Sequence, residues 1–167
     1  MKIDMNSIVE PKPTENLIKR FEEDYEVNFP KKFKEFLLEY NGATPITNIL
    51  PLDSNEYVIE RFLCILEDYE EHEDGHYVIG VVISQIFDRL TDSEDIIGMD
   101  VIPIASLFGG DFICLDYRKK GIDYRENKNP IVVIWDHEES EEDSPATKKV
   151  ANSVEEFFDM LIEDENS

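Results

Sequence analysis

The chain is short of positive charge. Sixteen Lys and Arg stand against 39 Asp and Glu, a formal net charge of −23 with an isoelectric point near 4.3. A field of that sign repels phosphates and anionic membrane surfaces, so direct binding of nucleic acid or membrane is not expected. It attracts basic surfaces and divalent cations. Cysteine is scarce too. Cys64 and Cys114 each sit inside an apolar run, and they read as buried free thiols, not as a disulfide or a metal pair. No stretch approaches the roughly 20 consecutive apolar residues of a membrane span. The segment Met1 to Pro13 is polar and lacks the apolar run of a secretory signal. A cytoplasmic location is expected. Internal repeats and Gly/Ser-rich linkers are missing as well, which leaves a domain boundary nothing to rest on. The expected organisation is a polar N-terminal arm over residues 1–13 and a single domain over 14–167.

Signatures of catalysis are equally thin. There is no Gly-x-Ser-x-Gly elbow, no His-Glu-x-x-His and no Cys-x-x-Cys, and His72, His76 and His137 all lie in or beside acidic, loop-like stretches. Apolar surroundings raise a thiol pKa and leave both cysteines inert. Gly109-Gly110-Asp111 lacks the following helix and the Lys of a phosphate cradle, so it reads as a tight turn. Asp136-His137-Glu138 has the residue types that bind metal or move protons. Neighbours on a strand point to opposite faces, however, so the three converge only through a turn. A metal-dependent or enzymatic reading would use Asp111, Asp116, Asp136 and His137. The favoured reading is a solvated strand end, and no enzyme activity, cofactor or metal is expected.

What the chain does hold is a patterned core. Its hydrophobic fraction of 41% includes ten Phe and seven Tyr, and a chain of this length buries roughly 70% of its unfolded surface. Leu17, Ile18, Phe21 and Tyr25 recur at helical spacing after Thr14. Val27 and Phe29 form a short extended link to Pro30, which suits the first turn of a second helix. There Phe33, Phe36, Leu37 and Tyr40 make one stripe, ended by Asn41-Gly42. Ile46 to Leu52 and Val58 to Leu66 read as strands. From Tyr77 the set Ile79, Val82, Ile83, Ile86, Phe87 and Leu90 returns to helical spacing, with a strand open for its first half. Val101 to Ala105 reads as an edge strand or a strand start because of Pro103. Phe112 to Tyr117 and Ile131 to Trp135 read as a hairpin with a long loop, Arg118 to Asn129. Ser153 and Glu156 have capping-box spacing before a last helix carrying Val154, Phe157, Phe158 and Leu161. Helices at both ends around a central set of strands predict an α+β fold.

Two acidic tracts remain. Glu67, Asp68, Glu70, Glu71, Glu73 and Asp74 form one, closed by Asp74-Gly75; Glu138, Glu139, Glu141, Glu142 and Asp143 form the other. Charge of that density repels itself and stays exposed. As solvated surface each tract is ordinary. As a docking surface each would speed association with a basic partner and make it salt-sensitive. These eleven residues are the candidate partner-binding set.

The order of motifs resembles the SUKH superfamily, which contains the Smi/Knr-type proteins. The resemblance rests on Leu17-Ile-Lys-Arg-Phe21-Glu22, Val27-Asn-Phe29-Pro30 and Phe33-Lys-Glu-Phe36-Leu37-Leu38-Glu-Tyr40-Asn41-Gly42. It continues through Ile102-Pro103-Ile104-Ala105, Gly109-Gly110-Asp111-Phe112-Ile113-Cys114-Leu115-Asp116, Ile131-Val-Val-Ile-Trp135-Asp136-His137-Glu138 and the closing helix from Val150 to Leu161. It runs from about Thr14 to Asp164. Ala43 departs from a second Gly often found there, and residues 67–100 match no family motif. The resemblance implies a central, mostly antiparallel sheet flanked by an N-terminal helix pair and a C-terminal helix. It also implies an immunity protein that neutralises a cognate bacterial polymorphic toxin, often a nuclease with a basic domain. The alternative is a regulatory or scaffolding interaction module of the fungal kind. The family brings no catalytic residues to carry over.

Overall fold

A computed structural model describes residues 1–166; Ser167, the last residue of the expected domain, lies outside the described residues. The frame is one six-stranded sheet whose strands follow in chain order, every neighbour pair antiparallel. The strands are β1 (Ile49–Leu52), β2 (Asn55–Phe62), β3 (Val101–Leu107), β4 (Phe112–Asp116), β5 (Ile131–Trp135) and β6 (Thr147–Ala151). Helices α1 (Glu15–Tyr25) and α2 (Lys31–Tyr40) precede the sheet, α3 (Ile79–Ile86) lies between β2 and β3, and α4 (Val154–Met160) follows it. This is the expected α+β architecture.

The local causes are those the sequence suggests. Thr14 Oγ1 accepts the Leu17 N–H at 3.1 Å and starts α1, satisfying one of the four donors a helix start leaves free. Pro30 stands just before α2, and its carbonyl accepts the N–H groups of Phe33 and Lys34. Ser153 caps α4 through the Glu156 N–H at 3.1 Å. Between the helices runs a ladder of rings: Phe21 on Phe29 at 5.2 Å, Phe29 on Phe33 at 5.1 Å, Phe36 on Phe62 at 4.5 Å and on Phe158 at 5.4 Å. It ties the helix pair, β2 and α4 into one apolar mass.

All seven residues of β3 are buried, which requires cover on both faces of the sheet. Tyr117, buried just past β4, donates its hydroxyl to the Asn28 carbonyl on the α1–α2 side at 2.8 Å. Trp135 donates Nε1 to the Arg89 carbonyl, just beyond α3, at 2.8 Å. The helix pair therefore covers one face, and α3 with its continuation covers the other.

Several expectations need correction. β3 is a central strand, although Pro103 had suggested an edge or a start. Its pairing with β4 slips between Pro103 and Ala105, and a bulge is where a ladder tolerates a residue without an N–H. The strand read from Ile46 begins at Ile49, and the one read from Val58 to Leu66 runs from Asn55 to Phe62. β6 carries no strand pattern in the sequence, since Thr147, Lys148 and Lys149 are exposed and only Val150 and Ala151 are buried. Segment 1–13 lies along the frame: Ile3 bridges Pro45, and Val9 is buried.

Asn41 binds these parts together. Its side chain is fully buried, donating Nδ2 to the carbonyls of Val9 (3.2 Å) and Ile65 (3.1 Å) and accepting the Ile65 N–H at 2.9 Å. Gly42 follows at φ +67, and a Cβ there would lie 2.7 Å from both Cys64 Cβ and Val9 Cγ2. The helix stop is thus also the joint between the N-terminal segment, α2 and the exit of β2. Both cysteines are buried and free, and burial pushes the Cys64 thiol up to about 12.

Candidate partner-binding surface

The first acidic tract leaves the sheet after Leu66, and its backbone closes in turns: the Gly75 N–H reaches the His72 carbonyl at 3.0 Å. A Cβ on Gly75 would fall 2.1 Å from the Tyr69 carbonyl oxygen, so only glycine fits there. Two of its carboxylates have partners. Glu67 meets Arg20 of α1 at 2.7 Å, and the half-buried Asp74 meets Arg61 at 3.1 Å. The Arg61 guanidinium also lies 4.0 Å over the Tyr77 ring and donates to the Gly42 carbonyl. Asp68, Glu70, Glu71 and Glu73 are exposed.

The second tract is held differently. Asp136 Oδ1 accepts the N–H groups of Glu138 (2.9 Å) and Glu139 (3.0 Å), so a turn does follow the strand. Glu141 and Ser144 exchange both backbone bonds at 3.0 Å, and the Asp143 N–H reaches the Asp88 carbonyl at 2.8 Å. Arg89 moors the loop, donating Nε to the Ser140 carbonyl at 3.1 Å and Nη2 to the His137 carbonyl while stacking on Trp135. Glu138, Glu139, Glu141 and Glu142 face solvent, and Asp143 is half-buried.

Of the four residues that a catalytic or metal reading would use, the structure gathers three. Donor atoms of Asp111, Asp136 and His137 lie within 4.8 Å of one another. Asp116 sits at the other end of β4, where Arg118 grips both its oxygens at 3.0 and 2.9 Å. The gathered atoms are already engaged. Asp111 Oδ1 takes the His137 N–H at 3.0 Å and meets His137 Nδ1 at 2.6 Å. That hydrogen bond raises the imidazole pKa and favours the imidazolium. Gly110 makes room for the ring, since a Cβ there would approach it to 3.2 Å. The arrangement braces the β3–β4 turn against the start of the acidic loop.

The turn itself carries a large apolar residue that belongs to no sequence motif. Phe108 is 66% exposed, beside a shallow depression shared with Glu60, His76, Tyr77 and Asp111. His76 follows the first acidic tract, and Asp111 holds His137 at the root of the second. An exposed aromatic ring therefore lines the same depression as His76, two residues past the first tract, and Asp111, the partner of His137. Its one signal in the sequence is position: a large apolar side chain directly before Gly109-Gly110, where the chain leaves the sheet.

No helix among the described residues is long and apolar enough to cross a membrane. The "SPbeta prophage-derived uncharacterized protein YokK" of Bacillus subtilis (strain 168) is 27% identical over 156 residues, covering 90% of this chain and 76% of that protein. The family model for SMI1 / KNR4 matches residues 12–160, from the approach to α1 through the end of α4. The chain belongs to the SMI1 / KNR4 family (SUKH-1).

Proposed function

We propose that this protein is an immunity protein that binds, in the cytoplasm, the basic nuclease domain of a cognate bacterial polymorphic toxin and neutralises it by covering its active surface. The observation that carries the reading is the pair of largely exposed acidic tracts, 67–74 and 138–143, together with the exposed ring of Phe108. A nuclease must present positive charge to hold phosphates. Opposed carboxylates speed encounter and occupy the groups that nucleic acid would use. Phe108 supplies what charge alone does not, a desolvated anchor that slows dissociation.

Co-expression with the toxic C-terminal domain of a candidate cognate toxin tests it, scored by survival and co-purification. Survival and a stoichiometric complex are expected. A purified toxin domain that stays fully active in excess protein would sink the proposal. In the complex, Glu70→Gln, Glu71→Gln, Glu139→Gln and Glu142→Gln together slow association and flatten its salt dependence. Phe108→Ala weakens affinity by roughly tenfold or more, mainly through faster dissociation.

A further inference from the structure

A second surface lies at the opposite end of β4. Residues 92–100 and the loop after β4 enclose an open groove of about 1000 Å³, whose walls include Ile97, Met99, Ile122 and Tyr124. Ile97 is 58% and Ile122 43% exposed. Asp100 forms part of the groove lining, yet its side chain is buried, with the residue 3% exposed. Its Oδ2 is 3.3 Å from the Thr91 hydroxyl, whose single proton is shared with the Ser93 carbonyl at 3.4 Å. Its Oδ1 has no hydrogen-bond partner among the described residues. A buried carboxylate oxygen without a donor is costly and calls for an explanation.

The nearest cation does not supply one. Arg118 spends Nε and Nη2 on Asp116 and Nη1 on Asp92 at 3.3 Å. Asp92, Asp100 and Asp116 form no set of ligand atoms close enough to share a metal ion; among the described residues that spacing occurs at Asp111, Asp136 and His137. What the groove lacks is a donor that arrives on an apolar stem.

We propose that this groove receives a lysine or arginine side chain from a segment of a protein partner, its alkyl stem against Ile97 and Ile122 and its cationic head on Asp100. The apolar walls suit the methylenes, and the buried carboxylate suits a charge withdrawn from water. The groove is far larger than one side chain, which favours a chain segment over a free amine. The inference stands apart from toxin neutralisation, because the groove and the Phe108 turn lie at opposite ends of β4.

Backbone amide NMR of the whole protein tests it, with three blocked peptides as probes: acetyl-Leu-Lys-Leu-amide, acetyl-Leu-Arg-Leu-amide and acetyl-Leu-norleucine-Leu-amide. Saturable shifts are expected at Met99, Asp100, Ile122 and Tyr124 with both cationic peptides, and binding roughly tenfold or more weaker with norleucine. Asp100→Asn should abolish the preference for the cationic peptides. Ile97→Ser, on the exposed rim, should weaken all three while leaving the fold intact. Glu155→Gln, exposed on α4 and outside the groove lining, should leave all three titrations unchanged. Equal binding of the norleucine peptide, an unaltered titration in Asp100→Asn, or shifts confined to the acidic tracts would overturn the proposal. Cadaverine binding as tightly as the lysine peptide would overturn the choice of a protein side chain. Unmoved groove amides would leave solvent as the partner of Asp100.

Discussion

Asp100 and Asn41 show two ways for a buried polar residue to sit in a core. Asn41 is fully served, three hydrogen bonds tying three segments together. Asn41→Ala strips partners from two buried carbonyls and one N–H, and a loss of about 3 kcal/mol is expected, read as a lower urea midpoint with an unchanged slope. Asp100 is underserved, and burial, the largest cause, raises its carboxyl from 3.8 to about 6. A raised folded pKa means that the native state holds the proton more tightly than the unfolded chain. The favourable contribution is therefore complete below pH 3.8 and is lost as pH rises through about 6. Asp100→Asn removes that loss. The variant should exceed the parent by roughly 1–3 kcal/mol at neutral pH and show no such gain near pH 4, measured by denaturant melts at both. The same substitution is expected to stabilise the fold and to empty the groove of its cationic guest.

The β1–β2 connection makes the corresponding point for elements. Leu52 pairs with Asn55, and the two residues between, Asp53 and Ser54, have φ of 48 and 67. Two-residue hairpins of this kind favour Asn-Gly or Gly-Gly, and a side chain in the left-handed region costs about 1 kcal/mol. Ser54→Gly should raise stability by about 0.5 kcal/mol, visible as a higher thermal midpoint. The same turn explains part of what the sequence left unread. Without an Asn-Gly signal, neither the register of β1 on β2 nor the start of β2 at Asn55 shows in the letters. The helices were legible because Ile18 and Phe21, Phe33 and Phe36, and Val154 and Phe157 recur at helical spacing behind Thr14, Pro30 and Ser153. β6 was not, because an outer strand with one buried end needs no alternation. Pro103 misled because a bulge forms by pairing, which one segment alone does not display. At the surface, the tracts are visible as runs of carboxylates. Phe108 and the groove below Ile97 and Ile122 are not, since residues from distant segments meet there only after folding.

At the scale of the whole molecule, the charge of −23 acts on stability as well as on partners. Among the described residues, most carboxylates of the two tracts have no ion-pair partner, and their mutual repulsion opposes the compact state. Raising ionic strength from a few millimolar to about 0.15 M shortens the screening length to about 8 Å. The free protein should therefore melt at a higher temperature in salt, while the proposed complex with a basic nuclease domain should weaken. Opposite signs for the two measurements separate repulsion within the chain from attraction between chains. A complex that held equally well at both ionic strengths would contradict electrostatic docking through the tracts.

The outer margins of the sheet carry a further consequence. β1 has Pro51 and is paired across its free side by Ile162, with both Ile49–Ile162 backbone bonds at 3.0 Å. β6 presents Lys148 and Lys149, and Lys148 reaches over to Asp53 in the β1–β2 turn at 3.2 Å. Proline, lysine and a covering segment all discourage another chain from adding a strand. Recognition is thereby left to side chains on turns and loops that the core does not need. Such a surface can be rewritten residue by residue for a new partner while the backbone ladder stays untouched.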